Sequence, residues 1–359
     1  MLDVALRSVS FAGILHDVTL TFPASAHTAI AGPPAAGAST LLRVIAGHVR
    51  PSSGRIVIGT RDVTDVKAAR RPLLHVTSNL DVPGRWSVQH ALIAAVRTRT
   101  LDREDRHREY ALAAEKWELE ALFERRVDSL SSTEAARVHF ARVELLRPAI
   151  VLADRWLERV NASARDRLAD ALYRTMRILG TTVISAPATR AELALSDRIV
   201  VLDEGRVVQS GAAAEVFAHP ASDAAAVATG EVDVIPIAIR GKVVESVIGS
   251  WELAAPPFQG SGVALVRPGD FTPAAPGEDS DLIFGVEEAG FADGRWIATG
   301  MLSGGVTLRI ELPAEGGVHK GKLLALRYDP ARFTLLPREL EPLRASVPTD
   351  VVPPMGETR

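Results

Sequence analysis

Nine residues, Gly32-Pro33-Pro34-Ala35-Ala36-Gly37-Ala38-Ser39-Thr40, separate a short apolar run from a helical pattern. Thr28-Ala29-Ile30-Ala31 precedes them and Leu41-Leu42-Arg43-Val44-Ile45-Ala46-Gly47 follows. A strand that passes through two glycines straight into a helix is the local form of a phosphate-binding loop, and such loops sit in α/β domains. The glycines let the backbone turn its N–H groups inward, toward an anion at the positive end of the helix. The pattern GxxxxGK[ST] asks for lysine where this chain has Ala38. Ser39 keeps the hydroxyl that holds Mg²⁺ in such loops, whereas the ammonium that reaches the outer phosphates is gone. The segment therefore constrains the fold and leaves nucleotide handling open.

At 359 residues the chain exceeds one ordinary domain, so two or more are expected. Its 47% hydrophobic residues suffice for a sizeable core. A net charge of −3 excludes a general nucleic-acid binder, which needs a basic excess, and no nucleic-acid partner is expected. Without cysteine, disulfides and thiolate metal centres are excluded and a reducing compartment fits. The chain opens in strand-like sequence, without a basic-then-apolar leader, and no uninterrupted apolar run of about eighteen residues follows. A cytoplasmic location is the expectation.

Up to about residue 230, short apolar runs alternate with amphipathic stretches, the pattern of an α/β domain with a partly parallel sheet. Strands are predicted at 28–31, 73–76, 150–153, 182–185 and 198–202. Residues 87–128 read as helical and charge-rich, with acids and bases crowded at 101–109, the mark of a solvated face. After residue 231 the texture changes. Thirteen of the 22 prolines lie beyond that point, and short alternating runs at 263–267, 306–312 and 322–328 replace helices. A small β domain, sandwich or barrel-like, is predicted there. The polar tail at 341–359 is expected to be loosely held.

Several segments carry a resemblance to a known family. Leu42-Arg43-Val44-Ile45-Ala46-Gly47 followed by Pro51-Ser52-Ser53-Gly54-Arg55-Ile56 is one, and Ile150-Val151-Leu152-Ala153-Asp154 is another. Leu130-Ser131-Ser132-Thr133-Glu134-Ala135-Ala136-Arg137-Val138 stands where a signature LSGGQQQRV belongs. Ser196-Asp197-Arg198-Ile199-Val200-Val201-Leu202-Asp203-Glu204-Gly205-Arg206 follows the phrase ADRIxVLxxGR. Together they resemble the ATPase subunits of ABC transporters, above all those of sugar, polyol, polyamine or ferric-iron importers with a C-terminal β domain of the TOBE type. Val266-Arg267-Pro268-Gly269-Asp270 and Leu326-Arg327-Tyr328-Asp329-Pro330 resemble recurrent TOBE phrases. The resemblance implies a P-loop NTPase domain over 1–232, with a helical subdomain at about 87–145, then a β-barrel-like OB/TOBE domain over 233–340.

The departures from that family fall on chemistry. The loop lysine is Ala38; the glutamine that joins Mg²⁺ and senses the membrane partner is Ser78. Signature glycines are Ser132 and Thr133, the water-polarising glutamate after Asp154 is Arg155, the D-loop aspartate is Asn161, and the switch histidine is Pro187. For the adenine-stacking aromatic, Phe11 is the candidate. A lost charge-assisted phosphate contact is worth ~1.5–3 kcal/mol, and a lost positioned acid or base ~10²–10⁴-fold in rate. No intact catalytic residue is expected. Gly32, Gly37, Ala38, Ser39, Thr40 and, across a dimer, Ser131 remain as nucleotide-site positions, with Ser39 and Asp154 as Mg²⁺ ligands. The alternative for Ser39, Thr40 and Asp154 is a purely structural role as helix N-cap and strand-end residues. Arg155 either substitutes for the missing lysine or pairs with Asp154.

The resemblance implies a degenerate subunit of an ABC importer at the inner face of the cell membrane. It would dock residues 78–128 on a transmembrane permease and pair with a second, competent ATPase subunit in preference to itself. ATP and Mg²⁺ are the implied cofactors, and a sugar or polyol such as glycerol the implied solute. The alternative function is a non-catalytic regulatory or scaffold protein that binds a ligand or partner through its β domain.

Overall fold

The computed structural model describes residues 1–275, 278–292, 295–314 and 317–338; the tail at 341–359 lies outside these. The chain divides into two compact units, Met1–Glu231 and Val232–Arg359.

In chain order the first unit runs β1 (Val4–Phe11), β2 (Leu15–Phe22), β3 (His27–Ala31), α1 (Ala38–Ala46), β4 (Ser53–Ile58), β5 (Arg61–Asp62) and β6 (Leu74–Thr77). The helices α2 (Val88–Val96), α3 (Arg103–Lys116) and α4 (Ser132–Leu146) follow, then β7 (Ile150–Asp154), α5 (Ala162–Ile178) and β8 (Thr182–Ala186). It ends with α6 (Arg190–Ala194), β9 (Arg198–Asp203), β10 (Arg206–Ala212), α7 (Ala213–Ala218) and α8 (Asp223–Thr229). All five strands expected from apolar runs are present, and all belong to one sheet of order β10-β9-β3-β8-β7-β6. Its pairs are parallel except β10 with β9. Every residue of β3 and β8 is buried, which is why these runs carry no alternation. An antiparallel sheet of order β2-β1-β4-β5 accompanies it. Leu6, Phe22, Ile56, Leu41 and Ile45 share one core with Ile30, Leu152 and Val200 of the larger sheet, so α1 is clamped by apolar contact.

Two further devices fix α1. At its C-terminus Gly47 adopts φ +79° and donates its N–H to Val44 O, while His48 N–H reaches Arg43 O, satisfying carbonyls the helix leaves open. The buried Arg71 guanidinium donates to the carbonyls of Val44 (3.0 Å) and Ile45 (2.6 Å), placing a cation at the negative helix end. The stretch 87–128 contains α2 and α3, as expected. Of α3 only Ala113 and Ala114 are buried, so several of its crowded charges face solvent, but Glu109 is largely covered and pairs with Arg99 and Arg147.

The second unit is built of strands. A five-stranded sheet takes the order Gly249–Glu252, Val243–Ser246, Asp233–Arg240, Gly260–Val266, Thr334–Pro337, with antiparallel neighbours. Two three-stranded sheets complete it, one centred on Leu323–Tyr328 and one on Arg295–Leu302. Phe271, Phe284, Ile310 and Leu326 lie in a common core. The buried Asp233 carboxylate accepts from the backbone N–H of Arg309 at 2.6 Å and from its guanidinium at 2.9 Å, joining two of the sheets.

Candidate functional site

Strand register brings the motif loops together. Asp154, last in β7, is level with Ala186 at the end of β8 and with Thr77 at the end of β6. Ser78, Arg155 and Pro187 therefore leave the sheet side by side at its C-terminal edge, where open α/β sheets bind ligands. The loop after β3 leaves at the same edge, because β3 runs parallel to β8 with Ala29 opposite Ser185.

In that loop the glycines are needed for space. Gly32 holds φ +155°, and a Cβ there would stand 2.1 Å from the carbonyl oxygen of Leu202. Gly37, at φ +106°, is the N-cap of α1 and offers no side chain to its free N–H groups. Ser39 lies one residue inside the helix, and its hydroxyl donates to Asp154 Oδ1 at 2.7 Å. The N-cap alternative for Ser39 and Thr40 is thereby corrected, since Gly37 occupies that position; Asp154 does end its strand. The hydroxyl and carboxylate are hard oxygen donors of the kind Mg²⁺ takes, with phosphate oxygens and water completing its octahedron. No cluster of three His, Cys, Asp or Glu able to hold a metal occurs among the described residues.

The loop forms one wall of a cleft of about 560 Å³ that also takes in Ile14, Arg155, Pro187, Thr189, Arg190 and Leu193. Ala38 presents a methyl group to it. Phe11 does not face this cleft; it packs against the core beside β2, and the neighbouring wall residue is Ile14, 42% exposed. The expectation of an aromatic platform at Phe11 is corrected accordingly.

Arg155 does not pair with Asp154 either. Its backbone turns through φ +47°, its N–H donates to Ala186 O at 2.9 Å, and its guanidinium binds Glu158 at 2.6 Å. Next in the same loop, Trp156 is buried. Its Nε1–H donates to His139 Nδ1 of α4 at 3.2 Å, and its ring packs on Phe140. Burial holds the His139 imidazole neutral, its pKa lowered to about 3. Arg159 then donates to Asn79 Oδ1 at 2.8 Å, linking this loop to the one that carries Ser78. Asn161 caps α5 without a side-chain hydrogen bond.

Ser131 stands apart from the cleft. It is the exposed N-cap of α4 in a capping box: Glu134 N–H donates to Ser131 Oγ at 3.3 Å, and Ser131 N–H donates to Glu134 Oε2 at 2.8 Å. These bonds and Arg125 hold the Glu134 carboxyl below its ordinary range, the Ser131 backbone N–H most of all. Ser132 and Thr133 form the first turn of α4. Thus Gly32, Gly37, Ala38, Ser39, Thr40, Asp154, Arg155 and Pro187 converge at one edge, while Ser131 lies elsewhere on the unit. Ile14, Arg190 and the Arg159–Asn79 bond were not legible: each depends on how surface loops fold back, and none sits in a recognisable spacing.

A family model described as ABC transporter matches residues 15–158. Molybdate/tungstate import ATP-binding protein WtpC of Thermococcus kodakarensis is 30% identical over 233 residues, which is 65% of this chain and 71% of that protein. sn-Glycerol-3-phosphate import ATP-binding protein UgpC 3 of Agrobacterium fabrum is 29% identical over 313 residues, 85% of this chain and 88% of its own. Fe(3+) ions import ATP-binding protein FbpC of Streptomyces coelicolor is 30% identical over 271 residues, 75% and 78% of the two chains. Among solved structures, cbiO1 from Clostridium perfringens superposes with TM-score 0.53 at 21% identity, covering 60% of this chain and 90% of that one. The dimeric bacterial ABC transporter cassette MJ0796 gives 0.51 at 19%, covering 58% and 98%. These two likenesses speak to the fold.

Proposed function

The chain belongs to the family of ABC transporter ATP-binding proteins, and on that premise we propose that it is an importer subunit degenerate in its own catalysis. The observation that carries this reading is the contrast at one edge of the sheet. Ser39 and Asp154 keep their 2.7 Å bond, while Ala38, Arg155 and Pro187 offer neither the loop cation, nor the water-orienting carboxylate, nor the switch donor. The Ser39 hydroxyl, the Asp154 carboxylate and the loop N–H groups would hold a Mg²⁺–nucleotide. The bound ion would neutralise phosphate charge, and the chain would add no group that advances hydrolysis. Arg155 does not stand in for the lysine in this reading, because Glu158 already engages it.

In such a subunit work is shared with a partner. The chain would pair head-to-tail with a competent ATPase subunit, presenting Ser131 to that partner's nucleotide, with the Ser132 and Thr133 side chains crowding the approach that glycines leave open. Residues 78–86 and the helices beyond would dock a permease at the inner membrane face, and the second unit would be a TOBE-type domain. A sugar or polyol such as glycerol is the proposed solute; one relative is named for import of sn-glycerol-3-phosphate, a polyol phosphate, while others are named for molybdate/tungstate and Fe(3+). A second reading, a non-catalytic scaffold, draws on the internal pairing of the motif loops through Arg155–Glu158 and Arg159–Asn79.

Calorimetric titration with Mg-ATP, alone and beside a motif-intact partner subunit, tests this. Binding without turnover is expected, and Ala38→Lys alone should not restore hydrolysis because Arg155 and Pro187 remain. Robust hydrolysis by the purified chain, abolished by Asp154→Asn, would overturn the assignment. A stable homodimer indifferent to Mg-ATP would favour the scaffold.

A further inference from the structure

The cleft walls are unusual in what they lack. Among the described residues, no aromatic, acidic or amide side chain lines the cleft. Its apolar side is aliphatic, from Ile14, Ile30 and Leu193, so a base could be desolvated there but not stacked on a ring. Nor does a side-chain amide or carboxylate stand ready to read a base edge. Thr189 is already engaged as the N-cap of α6, where its hydroxyl accepts the Glu192 N–H at 3.3 Å.

Two guanidinium groups reach the same cleft and differ in their partners. Arg155 is matched by Glu158. Arg190 is exposed, first in α6, and among the described residues makes no ion pair or side-chain hydrogen bond. Leu193, on the same short helix, is 2% exposed and also lines the cleft, so α6 is anchored with Arg190 at the rim. An arginine fork without a carboxylate partner, beside a glycine-rich loop, is suited to bidentate phosphate recognition.

We propose that Arg190 takes over the cation's task left vacant at Ala38, so that the cleft selects a polyphosphate chain and is indifferent to the base it carries. The inference rests on the nucleotide reading above and sharpens it: the ligand class is any magnesium-bound triphosphate, nucleoside or inorganic.

Calorimetry on the full chain with Mg-ATP, Mg-GTP and Mg-tripolyphosphate decides it. The dissociation constants should agree within about three-fold, since no wall residue distinguishes the bases. Arg190→Ala should weaken all three by about ten-fold or more, the usual weight of a charge-assisted phosphate contact, and Arg190→Lys should recover part of the loss. Arg174→Ala, which removes the same charge from an exposed face of α5, should change none of them. Thermal unfolding of each variant guards against loss of fold. ATP binding tenfold tighter than GTP, or tripolyphosphate binding untouched by Arg190→Ala, would overturn this inference and leave the nucleotide reading standing. If none of the three binds the unaltered chain, both fall together.

Discussion

The loops after β3 and β7 leave the sheet at one edge, yet different forces hold them. The first is held by crowding. A Cβ at Gly32 has no room beside Leu202 O, and one at Gly37 would meet Leu15 Cδ2 at 2.8 Å, so its path follows from backbone packing whatever ligand it serves. The second is held by side chains that answer one another: Arg155 with Glu158, Trp156 with His139, Arg159 with Asn79. A glycine loop shaped by crowding can therefore keep its path beside a loop whose side chains bond to one another. Cradle geometry is evidence of fold, and the side chains around it must be argued separately.

The most severe test of this contrast is Gly32→Val. It should cost roughly 3 kcal/mol or more in denaturant unfolding, through the clash with Leu202 O and the strained φ. A variant of unchanged stability would break the steric half of the comparison. Next comes acid. His139 is buried neutral, with a pKa lowered to about 3 against 6.5 for the free imidazole. Between those values the unfolded chain holds the extra proton, so this contribution is whole above about pH 6.5 and lost as pH falls toward 3. His27, lowered to about 4 mainly by burial, acts in the same direction. His139→Gln keeps an acceptor for the Trp156 N–H but cannot titrate. The slope of stability with pH between about 6 and 4 should then flatten by up to ~1.4 kcal/mol per pH unit. An unaltered slope would mean that the β7 loop is not anchored through this pair.

Smaller effects sharpen the contrast. Ser39→Ala removes one half-buried hydrogen bond and should cost about 1 kcal/mol, while the cradle keeps its path and the Mg²⁺ dependence of ligand binding is lost. Retained Mg²⁺ dependence in that variant would remove Ser39 from the ion site. Arg155→Ala should change stability by no more than about 0.5 kcal/mol, since its pair with Glu158 is about half exposed at both ends. A markedly larger loss would show that the second loop, too, is fixed by more than exchangeable side chains.

Much of this was readable beforehand for physical reasons. The strands β3, β7, β8 and β9 read as mostly apolar runs without alternation because their residues are almost all buried, and such runs announce themselves, whereas the edge strand β6 is shorter and only partly buried. The resemblance set down Ser39 and Asp154 together as Mg²⁺ ligands, and the structure joins them by a hydrogen bond, while the capping box of Ser131 and Glu134 came to light only in the structure. Other features were hidden. Phe11 was the candidate platform, but it packs half-buried against the core and Ile14 stands at the rim of the cleft. Arg190 looks in sequence like any exposed helical arginine, and its lack of a carboxylate partner among the described residues is visible only once its neighbours are placed. Arg159 and Asn79, eighty positions apart, carry no periodic or motif signal at all.

That last bond has a mechanical meaning. One guanidinium straps the exits of two adjacent strands, so the segments that begin at Ser78 and Arg155 share a tether and cannot drift independently while it holds. A push delivered to residues near Asn79 has a polar path to the turn before α5 through Arg159, beside the apolar one by which Leu80 leans on the core that holds Trp156 and Leu157.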